Sequence, residues 1–434
     1  MNRILYLFIT FIFISGCSLN KNSKFWTSSE KIKSENLTNY EELFPKEEAL
    51  KKEFNSNLSV KLSNRNLNST TGINIYNNYG KLNFDGDLKK STRYKFSKIK
   101  NFNQHEPEIL FLKDSLIFFD NKGSVLKFDD KSKLIWKKNY YTKSEKKMNP
   151  ILEFSINGNY LIVTDNLAKY YLIDIISGNL IWIKDNFAPF KSQIKTYKDK
   201  FFVIDFSNTL RCFSIKDGKE LWNLKTDKSF IKSQKKLSMV IVDEVIYFNN
   251  SIGDISAVEL NNGQLLWQLP TQSNLIYESA FSLETSDIIT DGSSLFFSNN
   301  RNKVFSIDIE TRNIKWENKI NSNLRPTLID DFLFSISLEG YLIVVNKNSG
   351  NIIRVTDIFK NFKINRRDSI IPTGFIIGLK NIYLTTSNGR LLVIDTKSGN
   401  TISTLKIDNE KISRPFVKNK DLFLIKDNAI IKLN

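Results

Sequence analysis

"GNLIWIKDN" at residues 178–186, "GKELWNLKT" at 218–226 and "GQLLWQLPT" at 263–271 each set a glycine four positions before a tryptophan. Aligned on that interval, Trp136, Trp182, Trp222, Trp267 and Trp316 share one equivalent position, and Trp26 alone lies outside the array. The frame continues in "SGNIIRVTD" (349–357) and "SGNTISTLK" (398–406), where Arg354 and Ser403 replace the aromatic. Going backwards, "STRYKFSKI" (91–99) offers Tyr94, so eight positions recur every 38 to 49 residues.

Within each unit two alternating apolar runs flank a turn, as in "SLIFFDNKGSVLKFDDKSKLIWKKN" at 115–139. That is the pattern of hairpins, with no helical period between them. A period of forty to fifty residues with about four short strands is the signature of a β-propeller blade. A large aromatic at a fixed strand position would fill the wedge between blades, its N–H reaching a neighbouring carbonyl. The glycines serve tight turns where positive φ is needed.

The expected fold is therefore all-β: an eight-bladed propeller of four-stranded antiparallel blades over residues 71–434, seven blades being the alternative count. The ends indicate how the ring closes. "DLFLIKDNAIIKLN" (421–434) supplies two strands and stops, so the strand holding Tyr94 is expected to complete a composite eighth blade. Such closure removes an open edge.

The first twenty residues, "MNRILYLFITFIFISGCSLN", carry Arg3, an apolar run and small residues before Cys17, the layout of an export signal. Ile14-Ser15-Gly16-Cys17 resembles a bacterial lipobox, which implies cleavage of residues 1–16 and lipidation of Cys17. Residues 17–70, rich in Asn, Ser, Lys and Glu, read as a flexible tether. Within it "PKEEALKKEF" (45–54) has the i,i+4 pairs of a short helix.

Lys+Arg 63 against Asp+Glu 46 gives +17. In an exported chain nucleic acid is not the expected partner, leaving solvated lysines or attraction to anionic lipid or an acidic partner. The densest cluster, "KKSTRYKFSKIK" at 89–100, would as a strand turn most of its cations to solvent. One histidine, His105, excludes multi-histidine metal centres and reads as a loop residue. Cys212, in the alternating "TLRCFSI", reads as a buried inert thiol. No metal, cofactor or catalytic constellation is identifiable.

The units resemble the pyrroloquinoline-quinone-type propeller repeat family, whose "L-D-x-x-T-G-x-x-x-W" pattern is seen here in "LIDIISGNLIW" and "VFSIDIETRNIKW"; the resemblance covers roughly residues 90–434. The family includes quinoprotein dehydrogenases, which hold the quinone and a calcium in the central funnel and carry adjacent cysteines. Here the two cysteines are far apart. The chain is more similar to the non-catalytic propeller lipoproteins of the outer-membrane β-barrel assembly machinery. That resemblance implies a lipid-anchored scaffold on the periplasmic face of the outer membrane, without cofactor, that binds periplasmic domains of the central insertase. A periplasmic quinoprotein dehydrogenase and an unrelated propeller scaffold are the alternatives.

The resemblance also implies where the partner sits: on the connections after Trp222 and Trp267, one carrying a Leu-x-Leu-Arg element and the other Asp-x-Asp. In "DKSFIKSQKK" (227–236), Phe230, Ile231 and Lys232 substitute for the first. "ETSD" (284–287) keeps Asp287 and has Thr285 in place of the other carboxylate. An exposed apolar pair flanked by lysine is an anchor a partner can bury. Ordinary solvated loops, with Phe230 tucked onto the next blade, are the other reading.

Overall fold

The computed structural model describes residues 50–63, 82–228, 235–271 and 283–434. All belong to one unit, Glu48–Asn434. Its strands form eight four-stranded antiparallel sheets, the blades of a propeller. Blades 1 to 7 occupy residues 110–138, 152–185, 195–225, 239–269, 289–318, 327–357 and 372–406, each with its strands in chain order. Blade 8 is composite: Phe416–Lys418, Asp421–Lys426 and Ala429–Leu433 are joined by Lys90–Lys95 at the outer edge.

The glycine-to-tryptophan interval has a steric cause. Where a unit carries the glycine, it lies on the side chain at the tryptophan position of the unit before it. A Cβ on Gly218 would stand 2.8 Å from the Trp182 ring, on Gly263 2.5 Å from Trp222, and on Gly350 2.5 Å from Trp316. All three glycines also have φ between +65° and +76°, where glycine alone is unstrained. At Gly178 a carboxylate four residues earlier closes the same turn: Asp174 accepts from the Ser177 N–H at 2.7 Å and its hydroxyl at 2.6 Å. Opposite each aromatic, the pairing of third and fourth strands shifts register, as at Cys212/Phe213 facing Trp222. This bulge recurs in all seven chain-order blades.

Four of the aromatics hydrogen-bond across to the next blade as expected; the buried Trp222 N–H finds no such partner. The indole N–H groups of Trp136, Trp182 and Trp316 donate to the carbonyls of Ile176, Ile215 and Lys347 at 3.0, 3.0 and 2.8 Å. The Tyr94 hydroxyl donates to the Asp130 carbonyl at 3.2 Å. Within their own blades Trp267 packs on Tyr247, and Trp222 on Phe202. Arg354 takes over the same bridging role. It is fully buried, and its guanidinium donates to the carbonyls of Lys397 and Thr396 in blade 7. Ser403 is exposed, because the following blade presents the edge strand Lys90–Lys95 there and no glycine turn to cover a ring.

Ring closure rests on that edge strand. Lys90–Lys95 pairs antiparallel with Ala429–Leu433, Tyr94 facing Ile430. Tyr94, Phe416 and Phe423 share a core with Phe111, Phe118 and Phe128 of blade 1. Along the edge strand, Arg93 and Lys95 face solvent while Tyr94 is buried, the alternation expected for the 89–100 cluster.

Two expectations about the N-terminal region change. Residues 50–63, read as tether, are held against the propeller. Leu50 N–H donates to the Lys319 carbonyl at 3.0 Å, Phe54 forms a two-bond bridge with Val355, and Val60 N–H donates to Lys397 at 3.1 Å. Buried Val60 and the Arg354 guanidinium, which also donates to the Leu58 carbonyl at 3.1 Å, fasten this strap. The helix expected over 45–54 is absent from residues 50–54, whose backbone groups are committed to that edge pairing. Cys17, the signal segment and the first part of the tether lie outside the described residues.

Candidate functional site

The cavities along the channel are lined in part by the first strands of blades and by the residues just before them. In four blades the residue two places before the first strand is charged: Glu108, Asp287, Arg325 and Arg414 precede the strands beginning at Leu110, Ile289, Thr327 and Phe416. They form one network. Arg325 Nε donates to Asp287 at 2.5 Å, and its Nη2 lies 3.5 Å from Glu108. Arg414 lies 3.0 Å and Lys236 3.9 Å from the same Glu108 oxygen, while Lys236 lies 2.7 Å from Glu153. Lys235 pairs with Glu106 at 2.8 Å.

Burial alone would neutralise such groups, but mutual attraction decides the outcome. Burial pushes the Glu108 carboxyl up, yet Arg414, Lys236 and Arg325 together hold it well below the ordinary carboxylate range. Glu106 and Asp287 are likewise held down against their burial, by Lys235 and Lys411 for the first and chiefly Arg325 for the second. For Glu153 burial prevails over Lys236, and Glu108 adds repulsion, raising it to about 7. Lys195 is lowered to about 8 by burial and then by Arg325. The channel therefore holds groups that titrate near neutrality beside others that stay fixed.

Two wider cavities open on either side of this network. One, of about 1200 Å³, has Lys98, Phe102, Glu106, Lys235, Glu284 and Lys411 in its wall. The other, of about 560 Å³, is bounded by Glu108, Glu153, Lys195, Tyr197 and Lys198. The stretch from Glu106 to Leu110 runs in the wall from one to the other.

Of the sequence-designated partner residues, Asp287 is carried into the channel wall, salt-bridged to Arg325. Phe230, Ile231 and Lys232 lie outside the described residues. Lys235, at the end of their connection, and Asp287, at the end of the other, line one small cavity, so both connections lead to the same end of the channel. Thr285 is buried and accepts from the Asn249 side chain. Sequence reading missed the network because its members come from separate repeats; the available signal was a charge locked two residues ahead of the first strand.

Cys212 is buried between blades 3 and 4, its thiol pushed up to about 12 by burial, the inert state expected of it. His105 sits beside the channel with its imidazole lowered by burial and Lys411. Among the described residues no three His, Cys, Asp or Glu side chains are grouped to hold a metal. The residues present do not fit a quinone held with calcium: the only cysteine in the ring is enclosed, and the carboxylates of Glu106, Glu108, Glu153 and Asp287 are each committed to Lys or Arg. Also among the described residues, no helix is long and apolar enough to cross a membrane.

The family model described as outer membrane protein assembly factor BamB matches residues 121–356. An uncharacterized protein of Rickettsia prowazekii is 21% identical over 63% of this chain and 66% of its own length. Outer membrane protein assembly factor BamB of Moranella endobia is 21% identical over 59% of this chain and 65% of its own. The chain thus spans about two thirds of the length of each. Among solved structures, BamB from Moraxella catarrhalis superposes with a TM-score of 0.65 at 15% identity, covering 80% of this chain and 99% of that one. A quinohemoprotein alcohol dehydrogenase from Pseudomonas putida superposes with a TM-score of 0.59 at 9% identity, covering 82% and 78%. At such identities both likenesses establish the propeller fold alone.

Proposed function

The chain belongs to the family of outer membrane protein assembly factor BamB, and from that premise we propose that it is a non-catalytic scaffold of the outer-membrane β-barrel assembly machinery. In this reading Cys17 carries the lipid that anchors the chain to the outer membrane, and the propeller faces the periplasm. Its partner is the central insertase, engaged through that protein's periplasmic domains.

The observation that carries the reading is the match of an assembly-factor family over residues 121–356, which include both connections singled out as partner loops. The channel supports it too. Its carboxylates Glu108, Glu153 and Asp287 are bound up in ion pairs with Lys and Arg, which suits a structural wall better than a redox cofactor site. The contact is assigned to Phe230, Ile231, Lys232 and Asp287, with the apolar pair as anchor and the charged groups setting orientation.

The test is capture of the full chain on immobilised periplasmic domains of the insertase. The double variant Phe230→Ser, Ile231→Asp is expected to lose capture at least about tenfold, as for removal of a binding anchor, while its melting stays unchanged. Undiminished capture moves the interface elsewhere on the ring, and no capture of the wild type ends the scaffold reading. In the same cells, Cys17→Ser is expected to abolish lipid labelling. Quinone-dependent and calcium-dependent alcohol oxidation by the purified chain would establish the dehydrogenase alternative.

A further inference from the structure

Phe187, on the connection from blade 2 into blade 3 (residues 186–194), is 94% exposed, more than any other large apolar side chain among the described residues. Its backbone is nevertheless fixed on both sides. The Asn186 N–H donates to the Ala168 carbonyl at 2.6 Å, and the Asn186 amide donates to the Ala188 carbonyl at 2.8 Å. Ala188 and Phe190 are buried. A phenyl ring held out in this way contributes nothing to the core and forgoes the burial such rings usually obtain. Because its own turn already holds the backbone, it loses little freedom when a partner covers it.

The connection from blade 1 into blade 2, residues 139–151, stands beside it. Lys169 Nζ lies 3.2 Å from Glu145 of that connection and 2.8 Å from Asp185, two places before Phe187, which ties the two connections together. Met148, 61% exposed, adds a second apolar side chain. The same bridge takes up the acids: Glu145 is the only acid in 139–151, and 186–194 has none. In the adjoining turns, Asp120 pairs with Lys137, and buried Asp165 accepts from the Tyr141 hydroxyl. Lys122, whose carbonyl accepts from Asn139 at 2.8 Å, is exposed, as are Lys143 and Lys147, while Lys146 is half-buried. Among the described residues, none of these four lysines is paired with a carboxylate.

Every connection that leaves a fourth strand emerges on one face, because each chain-order blade is an antiparallel meander. Phe187 and Met148 therefore share a face with the connections after Trp222 and Trp267. The first of those is an immediate neighbour. The Leu237 N–H donates to the Lys191 carbonyl at 2.9 Å, and Ser192 forms a parallel bridge with Leu237, so the ends of the two connections run side by side.

We propose that Phe187 and Met148, flanked by Lys122, Lys143, Lys146 and Lys147, form a second partner anchor that receives an acidic protein segment with an apolar pocket for the phenyl ring. This second anchor presupposes the scaffold function: the acidic segment belongs to the same periplasmic domains and lies one blade round the ring from Phe230 and Ile231. Phe187 supplies the buried contact, and the lysines set the orientation and speed of encounter.

The full chain, purified in detergent, is captured on immobilised periplasmic domains of the insertase at low and high salt. Phe187→Ser is expected to lower capture at least about fivefold with unchanged melting, as for loss of an exposed anchor. The triple variant Lys143→Glu, Lys146→Glu, Lys147→Glu is expected to lower low-salt capture about tenfold and to flatten the salt dependence. Ile364→Ser, which removes an 83% exposed side chain from the connection between blades 6 and 7, across the ring, is expected to change nothing. Undiminished capture of Phe187→Ser, when the Phe230→Ser, Ile231→Asp variant loses it, overturns the second anchor and leaves the scaffold function standing. No capture of the wild type ends both. An equal loss from Ile364→Ser shows that any exposed apolar group matters and overturns the anchor. Phe187-dependent binding to phosphatidylglycerol vesicles, with capture intact, gives the patch to lipid and also overturns it.

Discussion

Gly263 has no room for a methyl group. Its added Cβ would meet the Trp222 ring at 2.5 Å, at a φ of +76°. Gly158 has a similar φ of +58°, with nothing within 4 Å of such a Cβ. Gly263→Ala should therefore lose about 2–4 kcal/mol, strain plus overpacking, whereas Gly158→Ala should lose only the strain, about 1 kcal/mol. Thermal or denaturant melting of the pair measures the difference, and equal losses would mean that the ring of Trp222 yields without cost. The interval between glycine and tryptophan was legible in the sequence because sterics repeat identically from blade to blade. Arg354 was only half legible. Its alignment marked the position and the loss of the aromatic, but not that three backbone carbonyls would replace the hydration that burial removes.

At the scale of elements, the seam and the strap make separable contributions. Ending the chain after Lys420 removes both strands that lie between Phe416–Lys418 and Lys90–Lys95, leaving the latter without a partner. That truncation is expected to abolish a single cooperative melting transition. Excising residues 50–63 removes the Phe54 bridge and buried Val60 from outside an already closed ring. This variant should keep one transition and melt lower by roughly 3–6 °C, as for the loss of one buried aliphatic anchor. Equal behaviour of the two would mean that the composite blade is no more essential than the strap. The seam was readable because the repeat count left a blade short of one strand. The strap was not, since its pairing is mostly backbone to backbone and its composition resembles that of an unstructured linker.

For the molecule as a whole, the channel sets a pH dependence. Lys195 is buried and lowered to about 8, so the unfolded chain binds its proton more tightly than the folded one. Below pH 8 both states carry that proton and the penalty for burying it is full; between about 8 and 10.5 it fades, and stability rises. Lys195→Met should thus be more stable than the wild type at pH 7, by up to about 3 kcal/mol, with the gap closing by pH 10.5. Chemical denaturation across that range checks it, and a constant gap would assign the effect to packing. None of this was visible in the chain, because Glu108, Asp287, Arg325 and Arg414 are separated by whole blades and converge only when the ring forms. Closure also has a consequence in time. The pairing of Lys90 with Leu433 joins residues more than three hundred positions apart, and closing so long a loop costs on the order of 5 kcal/mol of chain entropy. Folding must therefore wait for nearly the whole chain before the Tyr94 strand finds its neighbour. During that wait its bare edge is open to other chains, and Arg93 and Lys95, the outward cations on it, are the charges that discourage them.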